Sequence, residues 1–191
     1  MKNMKLTRWE RKRLRLSNVR SSVALALLIF APASAADGVK INEIIVATSI
    51  SASKRDEAVK AASAFYDFWN SGDEMFLKNA IDSAFIDRTL PPGRPQGPDG
   101  PSFASRQFRA AVPDLSVTVE KMIVAGEYVT VHMNFTGHFT GAFGKIHGSG
   151  QAISFIATDL LKVEDGHVSD NWHIEDNLTL LQQMGIAKVE N

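Results

Sequence analysis

The chain has 191 residues, with 21 basic and 21 acidic side chains and no cysteine. Without thiols it has neither disulfides nor a thioether lipid anchor, so its stability comes from an ordinary packed core. The charge is unevenly spread: eight basic residues stand against the single acid Glu10 in the first 35 positions, which leaves about −7 for the remainder, a surface that repels nucleic acid and anionic lipid.

Lys2, Lys5, Arg8, Arg11, Lys12, Arg13, Arg15 and Arg20 lead into the apolar run Val23 to Phe30, and Ala33-Ser34-Ala35 follows Pro32. This is the pattern of a signal peptide over 1–35, cut between Ala35 and Ala36. The apolar run falls short of the ~20 residues needed to cross a bilayer. The pattern predicts a periplasmic or secreted product with no stable membrane anchor after cleavage. An uncleaved anchor and a basic nucleic-acid arm are the competing readings, and neither needs an A-x-A site.

Residues 36–53 form a lead-in whose Ile41, Ile44, Ile45 and Val46 suit either an edge strand or a flap. One domain is expected over 54–191. Ser53 with Asp56 resembles a capping box, and Val59, Ala62, Phe65, Tyr66 and Trp69 make an apolar helical stripe that ends at Asn70-Ser71-Gly72-Asp73. A second helix is expected from Glu74 to about Asp82. Residues 85–102 hold five of the seven prolines and read as a stiff loop. A third helix is expected from Phe103 to about Ala111, capped by Ser102. From Leu115 the apolar period becomes two, through runs beginning near Leu115, Tyr128 and Ile153 and a last strand from His167 to Glu175. Helices first and an antiparallel meander second predict an α+β fold in which helices wrap one face of a curved sheet.

Asp159 has the parity of Ile153, Phe155, Ala157, Leu161 and Val163, so a carboxylate occupies the apolar face. Burying an unpaired charge costs several kcal/mol on the order-of-magnitude scale, so the group either stays protonated or finds a partner. Buried acids of this kind serve in proton transfer or as hydrogen-bonded structural carboxylates. The Asp165-Gly166 turn folds the last strand back beside it. A strict two-residue turn sets Trp172 opposite Asp159, whereas a three-residue loop of the Gly-bulge type sets His173 there. An Asp and a His in one pocket can move a proton off carbon and return it elsewhere, as enolisation, aldol closure and isomerisation require. Trp172 fits a packing or interface role better than a ligand platform. His132 and His138 are six residues apart on one extended run, about 20 Å, too far to share a metal ion, and no Gly-rich phosphate loop follows a strand.

Several segments, taken in order, resemble one family: Phe68-Trp69-Asn70 with Gly72-Asp73, the loop FIDRTLPPGRPQGPDG, Pro113-Asp114, Gly137 to Gly141, Thr158-Asp159-Leu160, Asn171 to Asp176, and Leu180 to Gly185. Over about residues 55 to 186 the chain resembles the SnoaL-like polyketide cyclases, or ester cyclases. The resemblance implies a cone-shaped α+β roll of the nuclear transport factor 2-like kind, with a curved antiparallel sheet of about four strands and three helices enclosing one pocket. It also implies a homodimer paired through the sheet and aldol chemistry by a histidine and an aspartate, without metal or cofactor. In the family the carboxylate follows the tryptophan and the histidine lies on the preceding strand; here Asp159 is on the earlier strand and His173 follows Trp172. Asp159 and His173 are thus the candidate catalytic pair, with Arg88, Trp69, Trp172 and Phe155 as candidate substrate-binding residues. Arg88 stands where the family commonly has a histidine, and suits either an anionic substrate group or solvent.

Three functions fit: cofactor-independent acid/base catalysis on a small hydrophobic carbonyl compound, non-catalytic binding of a hydrophobic small molecule, and a dimerisation or scaffold domain. Export argues against the family's best-known reaction, because polyketide rings are expected to close inside the cell beside the synthase.

Overall fold

The computed structural model describes residues 38–188; the signal-peptide reading of 1–35 lies outside the described residues. In chain order the elements are β1 (Lys40–Ile41), β2 (Ile44–Val46), α1 (Ala52–Ser71), α2 (Glu74–Ala80), β3 (Ile81–Asp87), α3 (Asp99–Ala111), β4 (Ser116–Ala125), β5 (Tyr128–Phe139), β6 (Ala142–Phe143), β7 (Ile146–His147), β8 (Gln151–Glu164), β9 (His167–Glu175) and α4 (Asn177–Gln183). The α+β order is the one expected. A curved sheet runs β1-β4-β5-β8-β9-β3, with β2 also on β4.

The four long strands β4, β5, β8 and β9 pair antiparallel, as their period of two requires. Three short strands raise the total to seven and make the sheet mixed: β1 and β2 add parallel to β4, and β3 adds parallel to β9. The lead-in is therefore edge strand, not flap. The apolar group of the lead-in allowed an edge strand there, but its two- and three-residue pieces do not say which strand they join or in which direction, because a parallel partner is chosen at long range.

Along each long strand one side is buried and the other faces outward. Onto the inner side packs α1, whose Ala58, Ala61, Ala62, Phe65, Tyr66 and Phe68 follow helical spacing. Its cap is Ser51, not Ser53: Ser51 Oγ accepts from the Lys54 amide at 3.3 Å, and Ser53 turns to Glu57. The helix stops at Gly72, whose φ of +76° is a left-handed turn suited to glycine. Helix α2 ends at Ala80 because Ile81 opens β3. Helix α3 begins at Asp99, before the expected Phe103, since the first helical turn needs no backbone donor and tolerates Pro101. The β6–β7 hairpin is seated on the end of α3 at Gly141, where a Cβ would stand 1.9 Å from the Ala110 carbonyl oxygen.

Candidate active site

The β8–β9 hairpin sets Asp159 directly across from His173. Neither alternative read from the sequence holds whole: the turn is that of the first and the residue opposite Asp159 that of the second. The turn is the strict two-residue kind, with Glu164 opposite His167 and positive φ at Asp165 and Gly166. One extra residue then enters β9 between the pairs Val163–Val168 and Lys162–Asp170. This bulge, not a longer loop, moves the register so that His173 rather than Trp172 meets Asp159.

Asp159 is 6% exposed on the inner face. The Tyr66 hydroxyl, from the buried stripe of α1, donates to its Oδ2 at 2.9 Å. Burial pushes the Asp159 carboxyl up to about 7; the Tyr66 bond and the charge of His173 oppose that rise, while Glu175 and Asp87 add to it. Burial, with Asp159 beside it, raises the Tyr66 phenol well above its usual range and keeps it a donor.

His173 lies between two more carboxylates. Its Nε2 is 3.1 Å from Asp87 Oδ2 and its Nδ1 2.6 Å from Glu175 Oε1. Each carboxylate wants a donor, which requires a proton on both ring nitrogens. Burial works against that charge, but the two acids outweigh it and hold the imidazolium up to about 9. In return, Glu175 is held low by His173 and Arg94 against the opposing effect of its own burial.

The proline-rich segment closes one side. Gln96 mimics a strand partner: its Oε1 accepts from the Asp87 amide at 2.8 Å and its Nε2 donates to the Asp87 carbonyl at 2.9 Å. Thr89 links the segment to β9 by accepting from the His173 amide at 2.9 Å. Arg94 reaches inward from the loop, with Nη1 3.5 Å from both Asp87 Oδ2 and His173 Nε2.

Of the candidate substrate-binding residues, Trp69 and Phe155 belong to one aromatic group on the inner side. Trp69 meets Phe135 edge-on at 6.2 Å, Phe135 stacks on Phe155 at 5.1 Å, and Phe155 meets Phe108 at 5.8 Å. Ala157 lies between Phe155 and Asp159 on this face, so a small side chain separates the aromatic wall from the acid. Arg88 and Trp172 are not brought to the pair. Trp172 pairs with Leu160 on the outer face, and Arg88 is bound to Asp170 at 2.6 Å and lies 6.0 Å from the Trp172 ring centroid. The bulge that turns His173 inward turns Trp172 outward.

Tyr66, Asp87, Arg94 and Glu175 are the site residues that sequence reasoning missed. Tyr66 was hidden in a core stripe, and Asp87 and Arg94 depend on the parallel addition of β3. Glu175 alone had a signal, since it shares the parity of His173. A separate open groove of about 920 Å³ near the β8–β9 turn, lined by Lys54, Glu57, Glu127 and Asp165 among others, contains none of these groups.

A family model described as SnoaL-like polyketide cyclase matches residues 59–184. Among solved structures, a putative polyketide cyclase from Bacillus cereus is 38% identical with a TM-score of 0.73, over 80% of this chain and 96% of its own. TsrD from Streptomyces laurentii is 27% identical with a TM-score of 0.63, over 70% and 98% respectively. A Catenulispora acidiphila protein with a ketosteroid isomerase-like fold, 18% identical with a TM-score of 0.54 over 67% and 94%, shares the fold alone. No curated protein matches. With the family model spanning most of the described residues, from α1 to α4, this chain belongs to the SnoaL-like polyketide cyclase family.

Proposed function

We propose that the chain is an exported, cofactor-independent acid/base enzyme acting on a small, largely apolar carbonyl compound. The observation that carries this reading is a carboxyl buried on the inner face, bonded by Tyr66 and directly across one strand pair from a buried histidine; burial pushes the carboxyl up to about 7, and two further carboxylates hold the histidine up to about 9. Two groups whose environments set their proton affinities apart in this way can divide the roles of base and acid. Asp159 as carboxylate takes the proton from a carbon beside the carbonyl, and that C–H pair becomes the C=C bond of an enolate. His173 gives its proton to the oxygen that needs one, at the enolate itself in an isomerisation or at a second carbonyl in an aldol closure. Tyr66 holds the carboxyl in place, and the Trp69–Phe135–Phe155–Phe108 wall suits an apolar substrate body. The name of the Bacillus cereus neighbour, a putative polyketide cyclase, agrees with ring-closing chemistry of this type.

We further propose that the protein works outside the cytoplasm after losing residues 1–35, and that it pairs as a homodimer through the outer face of the sheet. Enolisation needs no knowledge of the natural substrate to be tested. Solvent deuterium incorporation into a panel of small ketones and diketones, followed by NMR, should be catalysed by the wild type and abolished in Asp159→Asn. The rate should rise through about pH 7 as Asp159 ionises and fall through about pH 9 as His173 loses its proton. Equal exchange in both proteins would refute the reading.

A further inference from the structure

Arg94 lies among the site carboxylates, and its charge helps hold Glu175 low, yet it closes no tight bond to any of them. Its Nη1 is 3.5 Å from Asp87 Oδ2, whereas a charge-assisted guanidinium–carboxylate bond closes to about 2.7–2.9 Å and is often two-pronged. Asp87 is already engaged, with Oδ2 on His173 and Oδ1 on the Thr89 amide. The same Nη1 lies 3.5 Å from Nε2 of the imidazolium His173, so two cations stand in contact with the Arg94 side chain only 20% exposed. Among the described residues, Nε and Nη2 of Arg94 take no hydrogen-bond partner.

The loop is built to keep this side chain there. Its amide donates to the Pro91 carbonyl at 3.2 Å, and the neighbouring Gln96 is bonded to β3. The Arg94 stem passes over Gly100, where a Cβ would sit 3.7 Å from Cδ and 2.7 Å from the Pro95 carbonyl oxygen. A side chain at 100 would therefore push apart the turn that aims Arg94.

A guanidinium with unused N–H groups, beside the histidine that lies across from Asp159, is suited to an oxygen that becomes negative during reaction. We propose that Arg94 is a catalytic residue whose free N–H groups receive the substrate carbonyl oxygen as it turns into an enolate. This rests on the enolisation reading above. The proton goes to Asp159, the C–H pair becomes the C=C bond, and the carbonyl π pair moves onto the oxygen facing Arg94, so no oxidant or reductant is required.

The test uses 4-nitrophenol, whose coloured phenolate mimics an enolate, titrated against pH in the presence of wild type, Arg94→Gln, Arg94→Lys and Asp159→Asn. The wild type should prefer the phenolate, so that bound dye ionises at lower pH than free dye. Arg94→Gln should weaken phenolate binding about tenfold or more with neutral phenol little changed, and Arg94→Lys should recover part of the loss. Wild-type binding without phenolate preference, or an unchanged preference in Arg94→Gln, overturns the proposal. An Arg94→Gln protein with a lowered Tm and an intact preference marks Arg94 as a structural partner of Asp87 and overturns it equally. Asp159→Asn should keep the phenolate preference, so failure of the proton-abstraction reading shows in turnover and failure of the Arg94 proposal in the dye.

Discussion

Asp159 ties the chemistry of this protein to a cost in stability. Its folded proton affinity, near 7, exceeds the usual 3.8, so its stabilising contribution is fully present below about pH 4 and is lost as pH rises to about 7. His173 behaves in the same sense, with a folded value near 9 above the usual 6.5: its contribution is present below about pH 6.5 and lost by about pH 9. Carboxylates held low, such as Glu175 and Asp170, act oppositely and lose their contribution as pH falls. Above pH 7 the buried Asp159 charge therefore costs up to about 4 kcal/mol. Asparagine in its place keeps an acceptor for Tyr66 and removes the ionisation. We expect Asp159→Asn to unfold at a higher temperature than wild type at pH 8, and the gain to shrink toward pH 4. A variant less stable than wild type at pH 8 would show that the charge is compensated in the fold. The carboxylate was visible in the sequence by parity alone. Tyr66 was not, because a tyrosine in an apolar helical stripe looks the same whether its hydroxyl meets solvent or a buried acid.

At the scale of elements, the site depends on two junctions with weak local codes. The first is the bulge in β9. The Asp-Gly turn is legible, but the extra residue after Val168 is set by how β9 lies between β8 and β3, and it alone decides whether a histidine or a tryptophan faces Asp159. The second is the seam between β3 and the proline-rich loop. The prolines do exclude regular structure from residues 88–98, yet Asp87 just before them ends a strand whose partner, β9, lies some 80 positions later. Gln96 closes this seam with bonds to both the amide and the carbonyl of Asp87. Replacing it with alanine leaves those groups short of partners, at about 1–3 kcal/mol. Gln96→Ala should lower Tm by several degrees and reduce enolisation more than the stability loss explains, since Asp87 and Arg94 both shift. Full activity in the variant would show that the loop is held by its prolines without Gln96.

For the molecule as a whole, the α+β class, the four-strand meander and the helices on one side follow from the change of period at Leu115 and from the cluster of prolines. The parallel pairing of β1 and β2 with β4 and of β3 with β9 does not, because those partners lie far away in the chain. The outer face of the sheet bears Ile156, Leu160 and Ile174, the last 75% exposed and paired with Thr158 between the other two, an apolar patch of the kind that covers an interface. Under the dimer proposal, Ile174→Asp should convert a dimer to a monomer in light scattering while leaving enolisation per chain in place; a wild-type monomer would end that proposal. Mass spectrometry of the protein recovered from its host should likewise find Ala36 at the amino terminus if it is exported as proposed.

The site's central property can be measured without substrate or partner. The carboxyl carbon of Asp159, assigned in the NMR spectrum by its loss in Asp159→Asn, should titrate with a midpoint near pH 7. A midpoint near the usual 3.8 would mean that this carboxyl stays ionised at neutral pH like any solvated aspartate, and would contradict its role as the buried proton acceptor.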